Sequence, residues 1–191
     1  MKIFRLYHHA NSPLLTGIEP AGIPFDVGRF RTYGHALQAL LSGFSTETIL
    51  TVEHDKHIPR RDLPRALQAV SPQNRLWRTG RVVLVLPYLI YPHSTGLEAP
   101  HIAHHRQEAG RWLWLDQSAT WQRGEAQAVR VHSIGLGVVA WPPDAWRWID
   151  PTWDYGPGNI DGRFSETFTA LGGHLWCLRP WTYHWHEEGQ A

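Results

Sequence analysis

The chain has 191 residues, 42% hydrophobic and 12% aromatic, with a formal net charge of +1. That length holds one ample domain or two small ones, and that apolar content supports a packed core rather than disorder. The single cysteine, Cys177, excludes an intrachain disulfide framework and any multi-cysteine zinc site.

In chain order, residues 2–8 alternate apolar and polar side chains, which predicts a first strand. Residues 11–28 carry Pro13, Gly17, Pro20, Gly22 and Pro24 and read as a long structured loop. Residues 35–44 (HALQALLSGF) are helix material ended by Gly43, and residues 48–53 (TILTVE) have the β-branched alternation of a strand. Residues 61–70 predict a second short helix, with Pro64 tolerated in its first turn. Residues 81–91 predict a long buried strand in which Pro87 implies a bulge or an edge. Residues 93–110 then read as a histidine-rich loop. Residues 111–115, 128–140 and 174–177 read as strands, and 141–144 and 150–162 as turn-rich connectors.

These elements predict one α+β domain with a mixed or antiparallel sheet. It has two short helices in the N-terminal half and a Trp-rich, strand-and-loop C-terminal half. A sub-boundary near residue 92, dividing a small α+β unit from an elaboration over 93–191, is the alternative. The longest apolar run, residues 82–91, is about half a membrane span, and no signal peptide is evident before His8. A soluble, cytoplasmic protein with no membrane partner is expected.

Two compositional features bear on function. Residues 56–81 hold Lys56, Arg60, Arg61, Arg65, Arg75, Arg78 and Arg81 against one acid, Asp62. Ten of the eleven tryptophans lie between Trp112 and Trp185. Clustered guanidinium groups neutralise phosphates, and accessible indoles stack on bases or anchor a protein interface. Trp112 and Trp114 alternate on one predicted strand and share a face, as Trp146 and Trp148 do if extended. An ordinary Trp-rich core with solvated arginines accounts for the same composition.

Motifs for chemistry are sparse. His93-Ser94-Thr95-Gly96-Leu97 and His132-Ser133-Ile134-Gly135-Leu136 resemble the paired histidine motifs of two-histidine phosphoesterases, in which one imidazole acts as base and the other as acid. His101, His104 and His105, and His184 with His186, have spacings that admit metal binding. No carboxylate or cysteine set completes a site, so no metal is expected. Cys177 lies in an apolar run and reads as a buried structural thiol.

Leu6-Tyr7-His8, followed by Gly17-Ile18 and Gly22-Ile23, resembles the NAD-binding histidine segment of PARP-like ADP-ribosyltransferases over residues 6–23. The resemblance implies that His8 binds the NAD ribose and that Tyr33 stacks on nicotinamide. The glutamate that supports transfer in that family is not assigned; Glu53 and Glu166 are the candidates.

The leading expectation is a non-catalytic binding or assembly subunit without a cofactor. It contacts RNA or a nucleoprotein through Lys56–Arg81 and a protein partner through the Trp-rich surface. The alternatives are an NAD-using ADP-ribosyltransferase-like enzyme (His8, Tyr33) and a two-histidine phosphodiesterase or RNA-processing enzyme (His93, His132).

Overall fold

The computed structural model describes residues 1–8, 20–56, 58–90, 100–124, 126–154 and 160–179. Its frame is a seven-stranded mixed sheet in the order β2-β1-β3-β11-β4-β12-β9. Strands β1 (Lys2–Tyr7), β2 (Ile23–Asp26) and β3 (Ile49–Glu53) run parallel to one another. Strand β4 (Val82–Val85) is parallel to β12 (His174–Leu178). Strand β11 (Val138–Trp141) lies antiparallel between β3 and β4, and β9 (Ala128–Val131) closes the far edge antiparallel to β12.

The central strands are apolar along their whole length because both faces are covered. VVLV in β4 and VVAW in β11 are buried at every position. Thr51, in the middle of β3, satisfies the one polar group that comes with a buried indole. Trp141 Nε1 donates to its Oγ1 at 2.8 Å, and that hydroxyl donates to the Val139 carbonyl at 3.3 Å.

Helix α1 (Tyr33–Gly43) buries Tyr33, Ala36, Leu37, Leu40 and Leu41, a single stripe at helical spacing. Thr32 caps it by accepting from the His35 amide at 3.1 Å. It packs on one face of the sheet with α4 (Ile160–Ala170), whose Ile160, Phe164 and Phe168 recur every fourth residue and are buried. Among the described residues, the other face carries α2 (Leu63–Ala69) and a 3-10 turn, Arg75–Thr79. Two small sheets sit beside this frame. One orders β10 (Ser133–Ile134), β7 (His104–Glu108) and β8 (Arg111–Trp114); the other pairs β5 (Leu89–Ile90) with β6 (His101–Ile102). A short helix, α3 (Ala119–Gln122), follows β8.

The α+β class and mixed sheet agree with the sequence reading, and so do the two N-terminal helices. Several boundaries are corrected. The long strand expected over 81–91 is two pieces, β4 and β5, because Pro87 lacks the N–H needed to continue the ladder. The single strand expected over 128–140 is three pieces in two sheets, with Gly135 and Gly137 between the last two. At Gly135 a Cβ would lie 2.1 Å from the Tyr88 hydroxyl, so only glycine admits that crossing. The supposed loop over 93–110 contains β6 and β7. Trp146 and Trp148 lie in a 3-10 turn, Ala145–Trp148, rather than a strand. Helix α4 begins inside the connector expected over 150–162 and continues through residues for which no element was predicted. Strands from either side of residue 92 interleave in one sheet, β11 lying between β3 and β4. Among the described residues no helix is long and apolar enough to cross a membrane.

Candidate functional site

The chain leaves the carboxyl ends of β2 and β3 in opposite directions. After β2 it passes through a 3-10 turn, Val27–Arg29, into α1 on one face; after β3 it passes into α2 on the other. The carboxyl end of β1 lies between the two departures. Open sheets with parallel strands place ligands at such points, outside the strand ends.

A cleft of about 210 Å³ occupies this position. Leu6, Tyr7 and His8 line it from β1, Val27 and Tyr33 from the segment after β2, and Glu53, His54 and Asp55 from the end of β3. Each wall has a local cause. Asp26 accepts from the Gly28 amide at 3.0 Å and the Arg29 Nε at 3.2 Å, which turns the chain toward α1. Tyr33 opens α1 with its ring buried, its amide bonded to Asp154 Oδ1 at 3.1 Å and its hydroxyl 3.4 Å from Glu53 Oε1. Arg5 lies on the opposite face of β1, 6% exposed, and its guanidinium holds the His54 carbonyl at 2.9 Å and the Lys56 carbonyl at 2.8 Å. The Glu53–Lys56 turn is therefore clamped from beneath by a rigid fork.

The electrostatics are acidic. Burial first, then the Glu53 charge, pushes the Asp161 carboxyl up to about 7, while the Leu136 amide and Lys56 act in the opposite sense. The Tyr88 hydroxyl is raised by its burial and by Glu53 and Asp161, and it accepts from the Gly137 amide at 3.2 Å. Lys56 Nζ pairs with Asp55 and lies 5.2 Å from the centre of the Tyr88 ring. Glu53, Asp55 and Asp161 thus share one edge of the sheet with a lysine and two tyrosines. Carboxylate oxygens of this kind suit hard divalent cations such as Mg²⁺ or Mn²⁺. Among the described residues, no group of three or more His, Cys, Asp or Glu is disposed to hold a metal ion by itself. A cation taken here needs further oxygens from its ligand, as Mg²⁺ in phosphate sites does.

His8 and Tyr33, proposed from sequence for one role, do meet in this cleft, and Glu53 joins them. Glu166 is exposed on α4. His54, Asp55, Tyr88 and Asp161 were missed. Glu53-His54-Asp55 carries the signal that could have found Asp55, a second acid two residues beyond Glu53 at the end of a predicted strand. Nothing local in the sequence marks Asp161 or Tyr88.

The basic run is not one patch, because the β3–α2–β4 crossover carries it from the carboxyl edge of the sheet to the amino edge. Lys56 belongs to the cleft edge, Arg60 and Arg61 precede α2, and Arg61 pairs with Asp62 at 3.5 Å. Arg65 and Arg75 flank a separate groove. Arg78 is exposed, and Arg81, just before β4, donates to the Leu171 carbonyl at 2.8 Å. His132 accepts from the Gln107 amide through Nδ1 at 3.0 Å and does not line the cleft. His93, His184, His186, Trp181 and Trp185 lie outside the described residues. His101, His104 and His105 serve different faces: His104 is fully buried, while His101 and His105 pack on Trp114. Of the described tryptophans, Trp112 alone is largely exposed, at 59%.

Fold and cleft together define an α+β protein with a small cleft at the carboxyl end of its parallel strands. Its architecture is similar to that in the crystal structure of A197 from STIV, with a TM-score of 0.55 at 14% identity, over 94% of this chain and 83% of that one. No protein-family model and no curated protein matches the chain.

Proposed function

We propose that the chain is a glycosyl-transferring enzyme that binds a nucleoside-diphosphate-linked sugar together with Mg²⁺ or Mn²⁺. The observation that carries this reading is the convergence of His8, Tyr33, Glu53, His54 and Asp55 on one cleft at the carboxyl ends of β1 and β3. The place suits a nucleotide, and Glu53 and Asp55 would hold a divalent cation beside its diphosphate.

The carboxylates also favour one leaving group over another. In NAD-dependent transfer the departing group is nicotinamide, so a cation on the diphosphate contributes little. When the diphosphate itself departs, a cation held by Glu53 and Asp55 would offset the charge that develops on it. The bond between sugar C1 and the diphosphate oxygen breaks, and an acceptor hydroxyl oxygen forms the new bond to C1. The hydroxyl proton passes to a base at this edge, a role we assign to Asp161. His8 supplies an imidazole for the nucleoside, and the buried Tyr33 backs the cleft with its hydroxyl beside Glu53.

Differential scanning fluorimetry with UDP, GDP and ADP, each with and without Mn²⁺, tests the reading. A rise in Tm is expected for at least one nucleotide only when the cation is present. Asp55→Asn, whose side chain is 53% exposed, should abolish that rise without lowering the Tm of the free protein. No response to any nucleoside diphosphate with Mn²⁺ or Mg²⁺ would overturn the proposal. Consumption of NAD, lost in His8→Ala, would instead favour ADP-ribosyl transfer.

A further inference from the structure

On the opposite face of the sheet, the described residues that stand over β12 and β9 are few: one seven-residue helix and a five-residue 3-10 turn flank a groove there. Its volume is about 740 Å³, more than three times that of the carboxyl-end cleft. Ala128 and Trp176 form part of its floor, and Arg65, Arg75 and Arg179 stand around it. No Asp or Glu is among the described residues that line it.

The three guanidinium groups differ in how they are held. Arg179 is fixed, its guanidinium 4.0 Å above the Trp121 ring and bonded to the Trp121 carbonyl. Arg65 and Arg75 are exposed, and neither has an ion-pair partner among the described residues. A groove of one charge sign, with an indole in its floor, favours a polyanion that also carries aromatic rings. We propose that this groove is a second site, independent of the cleft, and that it takes single-stranded nucleic acid. The arginines neutralise successive phosphates and Trp176 offers a stacking face.

Fluorescence anisotropy with labelled twelve-nucleotide oligouridylate and oligothymidylate, over a salt series, tests this. Binding of either probe at low salt is expected, with a log–log salt slope of about −2 for three phosphates at ~0.7 each. Arg65→Ala/Arg75→Ala, two exposed positions, should weaken binding at least tenfold and flatten the slope. Arg78→Ala, exposed but outside the groove, should stay within twofold. Absence of binding, equal losses in both variants, or polyphosphate binding as tightly as the oligonucleotides would each overturn the proposal. Failure here leaves the nucleotide-cleft reading intact, because the two sites share no residue.

Discussion

His104 is a buried histidine with a fixed tautomer, and its surroundings predict how it titrates. Its Nδ1 accepts from the Gly135 amide at 3.2 Å, so its Nε2 carries the proton and donates to the Leu86 carbonyl at 3.1 Å. Full burial is the main reason its pKa falls to about 4; neighbouring His105 adds to this, and the Leu86 carbonyl opposes it. The unfolded chain takes up the proton near pH 6.5, whereas the folded chain resists until about pH 4. Stability is therefore fully present above pH 6.5 and is lost as pH falls toward 4, by on the order of 3 kcal/mol. Urea midpoints measured from pH 7.5 to 4.5 should fall more steeply in the wild type than in His104→Gln. Parallel profiles would show that other groups carry the acid sensitivity. The cleft residues differ in legibility at this scale. Glu53 and Asp55 adjoin a readable strand, whereas Asp161 acquires its role only from burial beside Glu53.

Helix α1 positions Tyr33, and its first turn has almost no clearance. The Gly34 amide donates to the Trp153 carbonyl at 2.8 Å, and a Cβ at Gly34 would lie 2.3 Å from the Asp150 carbonyl oxygen. That approach is to backbone, which cannot rotate away. Gly34→Ala should destabilise by about 1–3 kcal/mol despite the better helix propensity of alanine. It should also weaken nucleotide binding by shifting Tyr33. At Gly43, the other end of α1, a Cβ would meet no atom within 4 Å, so Gly43→Ala should be neutral or stabilising by up to ~1 kcal/mol. Thermal melts of the two variants check both signs. The stripe of α1 was readable from its spacing. Helix α4 was not: Gly162 and a glycine- and proline-rich approach mask Ile160, Phe164 and Phe168. Their burial against Trp141, 5.3 Å from Phe164, overrides the weak local preference.

At the level of the whole molecule, the sheet is assembled from both halves of the chain. Strand β4 has β11 and β12 as its neighbours, and β3 reaches β4 only through β11. A fragment ending at residue 92 would hold β1, β2 and β3 together but leave β4 with no partner strand. It would also leave the edges of β3 and β4 that pair with β11 unpaired and remove α4 from the face it helps cover. Such a fragment should lack cooperative unfolding, measured by circular dichroism against urea. A fragment that unfolds in one sharp transition would show that the first 92 residues are a unit by themselves. The same interleaving explains why the two functional regions lie apart. The cleft gathers at the carboxyl end of the parallel strands, while the groove opens on the opposite face over the edge formed by β12 and β9.

The sequence by itself determined the elements whose cause is local. These are the alternation in β1 and β3, the apolar stripe of α1, the Pro64 start of α2, and the α+β class that follows from them. It also placed His8 and Tyr33 together as candidates. Only the tertiary structure decided that Glu53, His54 and Asp55 join them at one strand end, and that the basic run divides between two edges and a groove. The reason is physical. Periodicity records which face of an element is buried, but sheet order is set by long-range pairing, here β11 inserted between β3 and β4, and no local pattern encodes it.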